Sequence, residues 1–237
     1  MSGAARIGWV VDVQRDFMAP EGRLYVRNLF DDTDPGAREI APALARAVCW
    51  MRESCRTVVY TGDWHGLEDP EIDPHNPDPG VGTYPPHCMG RSSDPRERAG
   101  AEIIEAVRPG DHLVLCHDAS PADGREVARR AVATGRPVFV QKTRFNVFDG
   151  NPASDAFVDE LVGLLPATPE FVVIGVARDV CVTQAVDGLQ DRGHAVTAVS
   201  DATWGLGLEP EAETLTRWSK RGRVITLSDL LDIPAAR

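Results

Sequence analysis

The sequence predicts an α/β protein, with a doubly wound, mostly parallel sheet flanked by helices. Three observations carry that reading. Ile7-Gly-Trp-Val-Val-Asp-Val13 and Phe171-Val-Val-Ile-Gly-Val176 are short, nearly continuous apolar runs, as strands buried on both faces of a parallel sheet are. Other stretches place apolar residues on one helical face, as Val182, Ala185, Val186 and Leu189 do at i, i+3, i+4 and i+7. The two patterns alternate along the chain. A length of 237 residues suits one large α/β domain or two small ones. The alternation favours a single domain over 1–237, with a long loop at 66–100 and an extra strand and helix at about 111–135.

The elements follow in order. The first strand, Ile7–Val13, leads into a loop over Gln14–Gly22. Asp34-Pro35 reads as an N-cap and first helical position, and Ile40, Leu44, Val48, Met51 and Cys55 then recur at helical spacing, with Pro42 marking a later start or a kink. Thr57–Thr61 is the next strand and ends in Gly62-Asp-Trp-His65. From Gly66 to Pro86 the chain is rich in Pro, Asp and Gly and lacks periodicity. A loop of that length inside a domain is usually functional. His112–His117 is a short strand, Ser120-Pro121 opens a helix that ends at Gly135, and Pro137–Gln141 is a strand that delivers Lys142. Asn151-Pro152 caps a helix with Phe157, Leu161, Leu164 and Leu165 on one face. The Phe171–Val176 strand turns at Gly175-Val176-Ala177 into a helix that begins just before Cys181 and closes at Gly193. A strand over Ala195–Ser200 ending at Asp201, a helix from about Pro210 to Lys220 and a last strand Arg223–Leu227 complete the chain.

Composition narrows the function. A net charge of −11 argues against a basic face for nucleic acid. The N-terminal apolar run is too short for a signal peptide, and no run approaches the ~18 residues of a membrane span. Five dispersed cysteines, at 49, 55, 88, 116 and 181, fit free thiols in a reduced cytoplasm. The expected partner is a small molecule, with no nucleic acid and no membrane.

In such sheets ligands bind at the C-terminal ends of the strands. Asp12, Asp63, Lys142, Cys181 and Asp201 all stand at such ends, which points to one shared site. Cys181 falls in the first turn of a helix, where free N–H groups and the helix dipole favour a thiolate, the nucleophilic form. Taken alone it reads more readily as a small buried core residue, which is what most free cysteines are. Asp12 can take the thiol proton if burial raises its pKa, and Lys142 can hold both. Asp63, His65 and His87 supply one carboxylate and two imidazoles, a set suited to a divalent metal with open positions. His75 offers a further ligand in the same loop, and Cys88 beside His87 reads as a packed thiol. Glu68, Asp69, Glu71, Asp73 and Asp78 read as solvated loop charges.

These pieces together resemble the nicotinamidase branch of the isochorismatase-like cysteine hydrolases. The matching segments are Val10-Val-Asp-Val-Gln-Arg-Asp-Phe17, Asp63-Trp-His65, Pro85-Pro-His-Cys88 with Gly100-Ala-Glu102, Lys142, and Gly175-Val-Ala-Arg-Asp-Val-Cys-Val182 with Asp201-Ala202. They occur in the family's order over about residues 7–205. The resemblance implies a catalytic triad of Asp12, Lys142 and Cys181 and a metal site of Asp63, His65 and His87. Zinc is the first expectation, with iron or manganese as alternatives. It implies a cis peptide between Val176 and Ala177, which turns the N–H groups of Ala177 and Cys181 into an oxyanion hole. It also implies a homo-oligomer, and acyl transfer through a thioester that releases ammonia from a small amide such as nicotinamide. In nicotinamidases the metal binds the pyridine nitrogen. Phe17 and Tyr84 are the expected pocket walls.

Four features depart from that branch. Tyr84 stands where nicotinamidases usually carry a Trp. Met89–Arg98 is longer than the usual connection, and its Arg91, Arg96 and Arg98 read first as solvated charges, with reach to a carboxylate on a larger substrate as the alternative. The strand and helix at about 111–135 are extra, and Thr143–Phe148 differs from the usual pattern. The residues therefore leave open a carbon–nitrogen hydrolase with another amide substrate, a silent binding member, or an iron oxygenase built on two His and a carboxylate.

Overall fold

The computed structural model describes residues 5–234. Seven strands form one parallel sheet: β1 Arg6–Val11, β2 Thr57–Asp63, β3 Leu113–Leu115, β4 Val138–Lys142, β5 Glu170–Val176, β6 Ala195–Trp204 and β7 Arg223–Ile225. Their order is β3-β4-β2-β1-β5-β6-β7. The chain thus builds outward from β1 in one direction, then returns to its other side with β5. That places a topological switch point between β1 and β5, where open α/β sheets bind ligands.

Both faces of the sheet are covered. Val10, Tyr60, Val172 and Ile174 pack with Leu44, Val48 and Met51 of the helix Ala41–Ser54 and with Leu230 of a short helix, Leu227–Leu231. Ile7, Trp9, Val59 and Phe171 turn the other way. They meet Ala128 of the helix Pro121–Thr134, Phe157 and Leu161 of Ser154–Gly163, Val186 and Leu189 of Thr183–Asp191, and Trp218 of Glu211–Ser219. Burial on both faces is why β1 reads as an unbroken apolar run. A Cβ at Gly8 would lie 2.8 Å from Met51 Sδ, so a side chain there would have to displace Met51.

The extra strand and helix predicted at about 111–135 are β3, on the sheet edge, and Pro121–Thr134, capped by Ser120 and Asp123 and ended by left-handed Gly135. Several boundaries differ from the sequence reading. Asp34-Pro35 does not cap a helix; a 3₁₀ turn at Ala37–Ile40 leads into the helix at Ala41, and Pro42 sits in its first turn, where no N–H is needed. The loop after β1 contains a short helix, Arg15–Met18. The last strand stops at Ile225, and Thr226 caps the Leu227–Leu231 helix in place of strand. β6 runs on to Trp204, past a register shift opposite Val173–Gly175. Among the described residues no helix is long and apolar enough to cross a membrane.

Candidate active site

Four adjacent strands, β4, β2, β1 and β5, deliver the site. Pairing of β2 with β4 sets Asp63 directly beside Lys142. Asp12 follows the last residue of β1, with φ +52°, and its N–H donates to Thr61 O at 3.2 Å. The left-handed backbone ends the strand and turns the carboxylate back over β2. Beyond β5 the Val176–Ala177 peptide is cis, and a π-helical turn, Arg178–Val182, carries Cys181 into the helix Thr183–Asp191. Gly175, with φ +125°, lets β5 lie against β1, since a Cβ there would sit 2.1 Å from Val11 O.

Lys142 is the hub. It is 1% exposed, its Nζ lies 2.9 Å from Asp12 Oδ2 and 3.9 Å from Cys181 Sγ, and it also pairs with Asp63 Oδ1. Thr61 Oγ1 donates to the other oxygen of Asp12 at 2.8 Å. Ligating atoms of Asp12, Asp63 and Cys181 lie within 4.8 Å of one another, a grouping that would suit a cation, and the Lys142 ammonium is that cation. Burial pushes Lys142 down, but Asp12 and Asp63 outweigh it and hold it well above the ordinary lysine range. Burial pushes Asp63 up, and Lys142 and the two imidazoles overcome this to leave it well below the carboxylate range. Asp12 is raised: burial and the nearby Asp63 charge exceed the pull of Lys142 and Thr61.

Cys181 departs from the helix-terminus expectation. Burial raises its thiol well above the ordinary range, Lys142 opposes this, and the Asp12 and Asp63 carboxylates add to it. Its place at a helix start does not win, because burial first, and then the two carboxylates, favour the protonated form. The resting sulfur is therefore a thiol, beside a carboxyl able to take its proton.

Asp63 serves a second group. His65 Nε2 and His87 Nε2 each lie 3.6 Å from Asp63 Oδ2, and ligating atoms of the three residues fall within 4.8 Å. The imidazoles are fixed from behind: His65 Nδ1–H donates to Asp69 Oδ2 at 3.0 Å and His87 Nδ1–H to Pro85 O at 2.8 Å. With Nδ1 so engaged, Nε2 is the nitrogen each neutral imidazole can offer a cation; with none bound, burial lowers His65 but the Asp63 and Asp69 carboxylates outweigh that and raise it to about 9. His65 Nε2 is buried and has no hydrogen-bond partner. Two imidazole nitrogens, one of them buried and without a hydrogen-bond partner, converge with a carboxylate in a set that fits a divalent cation. His75 is exposed and outside this group.

A cavity of about 30 Å³ lies between the two groups, with Cys181, Asp63 and His87 in its lining. Phe17, Tyr84, Phe145, Leu24, Val26 and Leu206 supply apolar walls, and Ala177 and Val180 lie beside Cys181. Phe17 and Tyr84 flank His87, with ring centroids 5.3 and 6.2 Å from it. Tyr84 arrives by way of the long loop, which is pinned where Ile72 bridges Tyr84 and Tyr84 N–H donates to Glu71 O at 2.9 Å.

Two expectations fail, and the alternative reading of the arginines finds no support. Asp201 lies within β6, exposed, and its Oδ1 accepts from Leu227 N at 2.6 Å, so it holds the start of the Leu227–Leu231 helix and does not line the site. Asp69 and Glu71 are not solvated loop charges but are 8% and 6% exposed. Asp69 is spoken for by His65, Gly66 and Arg91. Glu71 accepts from Phe145 N at 2.8 Å through one oxygen, while the other has no partner. Burial, with the Asp63 charge, raises Glu71 to about 7. Arg91, Arg96 and Arg98 do not line the cavity: Arg91 pairs with Asp69 and Glu68, Arg98 donates to Ser92 O and Ser93 O, and the Arg96 side chain is 93% exposed. Asp16 was missed. Its buried carboxylate accepts Cys88 N at 2.7 Å, fixing the backbone next to His87, and it fills the space a Cβ on Gly100 would need.

The sequence of the isochorismatase domain family matches residues 9–229. No curated protein matches the chain. Solved structures share the fold. An isochorismatase family protein from Desulfovibrio vulgaris subsp. vulgaris str. Hildenborough is 17% identical, over 97% of this chain and 98% of its own, with a TM-score of 0.65. N-carbamoylsarcosine amidase from Thermoplasma acidophilum is 20% identical, over 94% and 96%, with a TM-score of 0.62. A nicotinamidase/pyrazinamidase from Bacillus subtilis is 16% identical, over 93% and 99%, with a TM-score of 0.62.

Proposed function

The chain belongs to the isochorismatase domain family, a family of hydrolases, and on that premise we propose that it is a cysteine amidohydrolase for a small, uncharged amide of the nicotinamide type. One observation carries this reading: Cys181 lines an apolar cavity, and behind it the buried Lys142 ammonium touches Asp12 and lies 3.9 Å from Cys181 Sγ.

Asp12 takes the proton of the Cys181 thiol, and Lys142 stabilises the thiolate. The sulfur attacks the amide carbonyl carbon, and the electron pair moves to the oxygen, which the N–H groups of Ala177 and Cys181 receive. Collapse of that adduct breaks the carbon–nitrogen bond. Asp12 returns the proton to the leaving nitrogen, which departs as ammonia. Water then attacks the thioester with Asp12 as base, and the free acid and the thiol are regenerated. Asp63, His65 and His87 would hold a divalent metal, which supplies a Lewis-acidic position for a substrate heteroatom. Phe17 and Tyr84 stack on a flat substrate ring.

The apolar walls favour an uncharged substrate body. Among the described residues no arginine or lysine lines the cavity, so a substrate carboxylate placed away from the proposed metal would be buried without a partner. The cavity is narrow, so a ring must spread its walls on entry. A panel of nicotinamide, pyrazinamide, benzamide and N-carbamoylsarcosine, read by ammonia release from metal-replete protein, tests the reading. The aromatic amides should turn over, with nicotinamide above about 10⁴ M⁻¹s⁻¹ in kcat/KM. Turnover of the carboxylate-bearing amide alone would assign a different substrate class.

A further inference from the structure

We propose that Asp69 and Arg91 are positioning residues for the metal site, forming a relay that fixes the ring of His65 so that Nε2 faces the cation. The inference rests on the proposed metal site.

His65 lies on an aperiodic segment just past β2, where no ladder holds it. It is held instead by groups brought from two directions. On the backbone, His65 N donates to Cys88 O at 3.0 Å and Arg91 N donates to His65 O at 3.1 Å. The segment from Cys88 to Arg91 therefore clasps His65 on both sides. On the side chain, Nδ1–H donates to Asp69 Oδ2 at 3.0 Å, and the same oxygen accepts Gly66 N at 3.1 Å. The other oxygen of Asp69 accepts from Arg91 Nη2, and Arg91 Nη1 lies 3.0 Å from Glu68 Oε1.

Each link has a distinct effect. A carboxylate accepting from Nδ1–H selects the tautomer that can bind a cation, with the hydrogen on Nδ1 and Nε2 the nitrogen left for the metal. It also makes Nε2 a stronger donor to a cation. Arg91 keeps the Asp69 carboxylate turned toward the imidazole, and its position on the Met89–Arg98 segment ties that longer connection to the metal site. Glu68 touches the relay only through Arg91, and its side chain is 72% exposed.

The test is zinc affinity of the metal-free protein, measured by competition with a chromogenic chelator, for wild type and for Asp69→Ala, Asp69→Asn, Arg91→Ala, Arg91→Lys and Glu68→Ala. Melting temperatures of the metal-free forms are recorded alongside. Loss of a group that orients a metal-bound imidazole weakens binding about 10–100-fold. Asp69→Ala should fall in that range. Asp69→Asn keeps an acceptor without the charge and should fall between it and wild type. Arg91→Ala should weaken binding less than Asp69→Ala, Arg91→Lys should recover most of the loss, and Glu68→Ala should bind as wild type does. If wild type, Asp69→Asn and Arg91→Ala bind zinc equally, the relay is overturned while the metal site stands. If wild type binds no zinc, the metal site is overturned and the relay with it.

Discussion

Lys142 Nζ lies 2.9 Å from Asp12 Oδ2, and neither side chain is more than 1% exposed. A buried ion pair of this kind is weak evidence for stability, because desolvation cancels much of the attraction. Here the ammonium is also shared with Asp63 and stands beside Cys181. Three acidic groups converge on one cation, so one of them is better off keeping its proton. The rise of both Asp12 and Cys181 expresses that, and a proton that can sit on either is what nucleophile activation requires.

Lys142→Met should be among the most damaging single changes in the protein. It leaves the buried Asp12 carboxylate without a counter-charge and removes one of those on Asp63, and breaking a buried pair from one side costs about 3–5 kcal/mol. Chemical denaturation at pH 7 reads the loss directly. A smaller loss at pH 4, where Asp12 can be neutral, would accompany it.

Asp12→Asn keeps the shape and removes the proton acceptor. The expected result is a fall in kcat of about 10²–10⁴-fold, the span of general acid–base catalysis. Metal content should stay at the wild-type level, because Asp12 is not among Asp63, His65 and His87. Steady-state kinetics and elemental analysis on one preparation separate the two effects.

Glu71 predicts a pH dependence of stability. Its folded-state pKa is raised from 4.5 to about 7. Between those values the folded chain holds a proton that the unfolded chain has released. Stability therefore falls as pH rises from about 4.5 to about 7 and stays lower above that. Glu71→Gln removes this slope and should stabilise metal-free protein at pH 8 by up to about 3 kcal/mol. Thermal melts of both forms across that range give the comparison.

The parts of the site that the sequence made legible share one cause. In a parallel sheet all strand ends of one sense lie on one edge, so Asp12, Asp63 and Lys142 meet there whatever the loops do. Asp201 shows the limit of that rule, because β6 continues past it to Trp204. Asp69 and Glu71 were illegible for a different reason. Their burial depends on Arg91, 22 residues away, and on the backbone of Phe145, 74 residues away, and an aperiodic loop advertises neither. The two histidines were visible as residue types, but the hydrogen bonds that leave their Nε2 atoms for a cation were not. The helix Leu227–Leu231 is too short to show a period. Arg91, Arg96 and Arg98 suggested a carboxylate site by composition alone, and their partners lie elsewhere.

The central claim is that Cys181 forms a covalent acyl intermediate. Acid-quenching the protein during steady-state turnover of the best amide of the panel, followed by peptide mass spectrometry, tests it most directly. The account predicts a mass increase equal to the acyl group on the peptide containing Cys181, none on the peptide containing buried Cys88, and no turnover in Cys181→Ala while Cys88→Ala retains most activity. Retained turnover in Cys181→Ala, with no adduct on the wild-type Cys181 peptide, would contradict it.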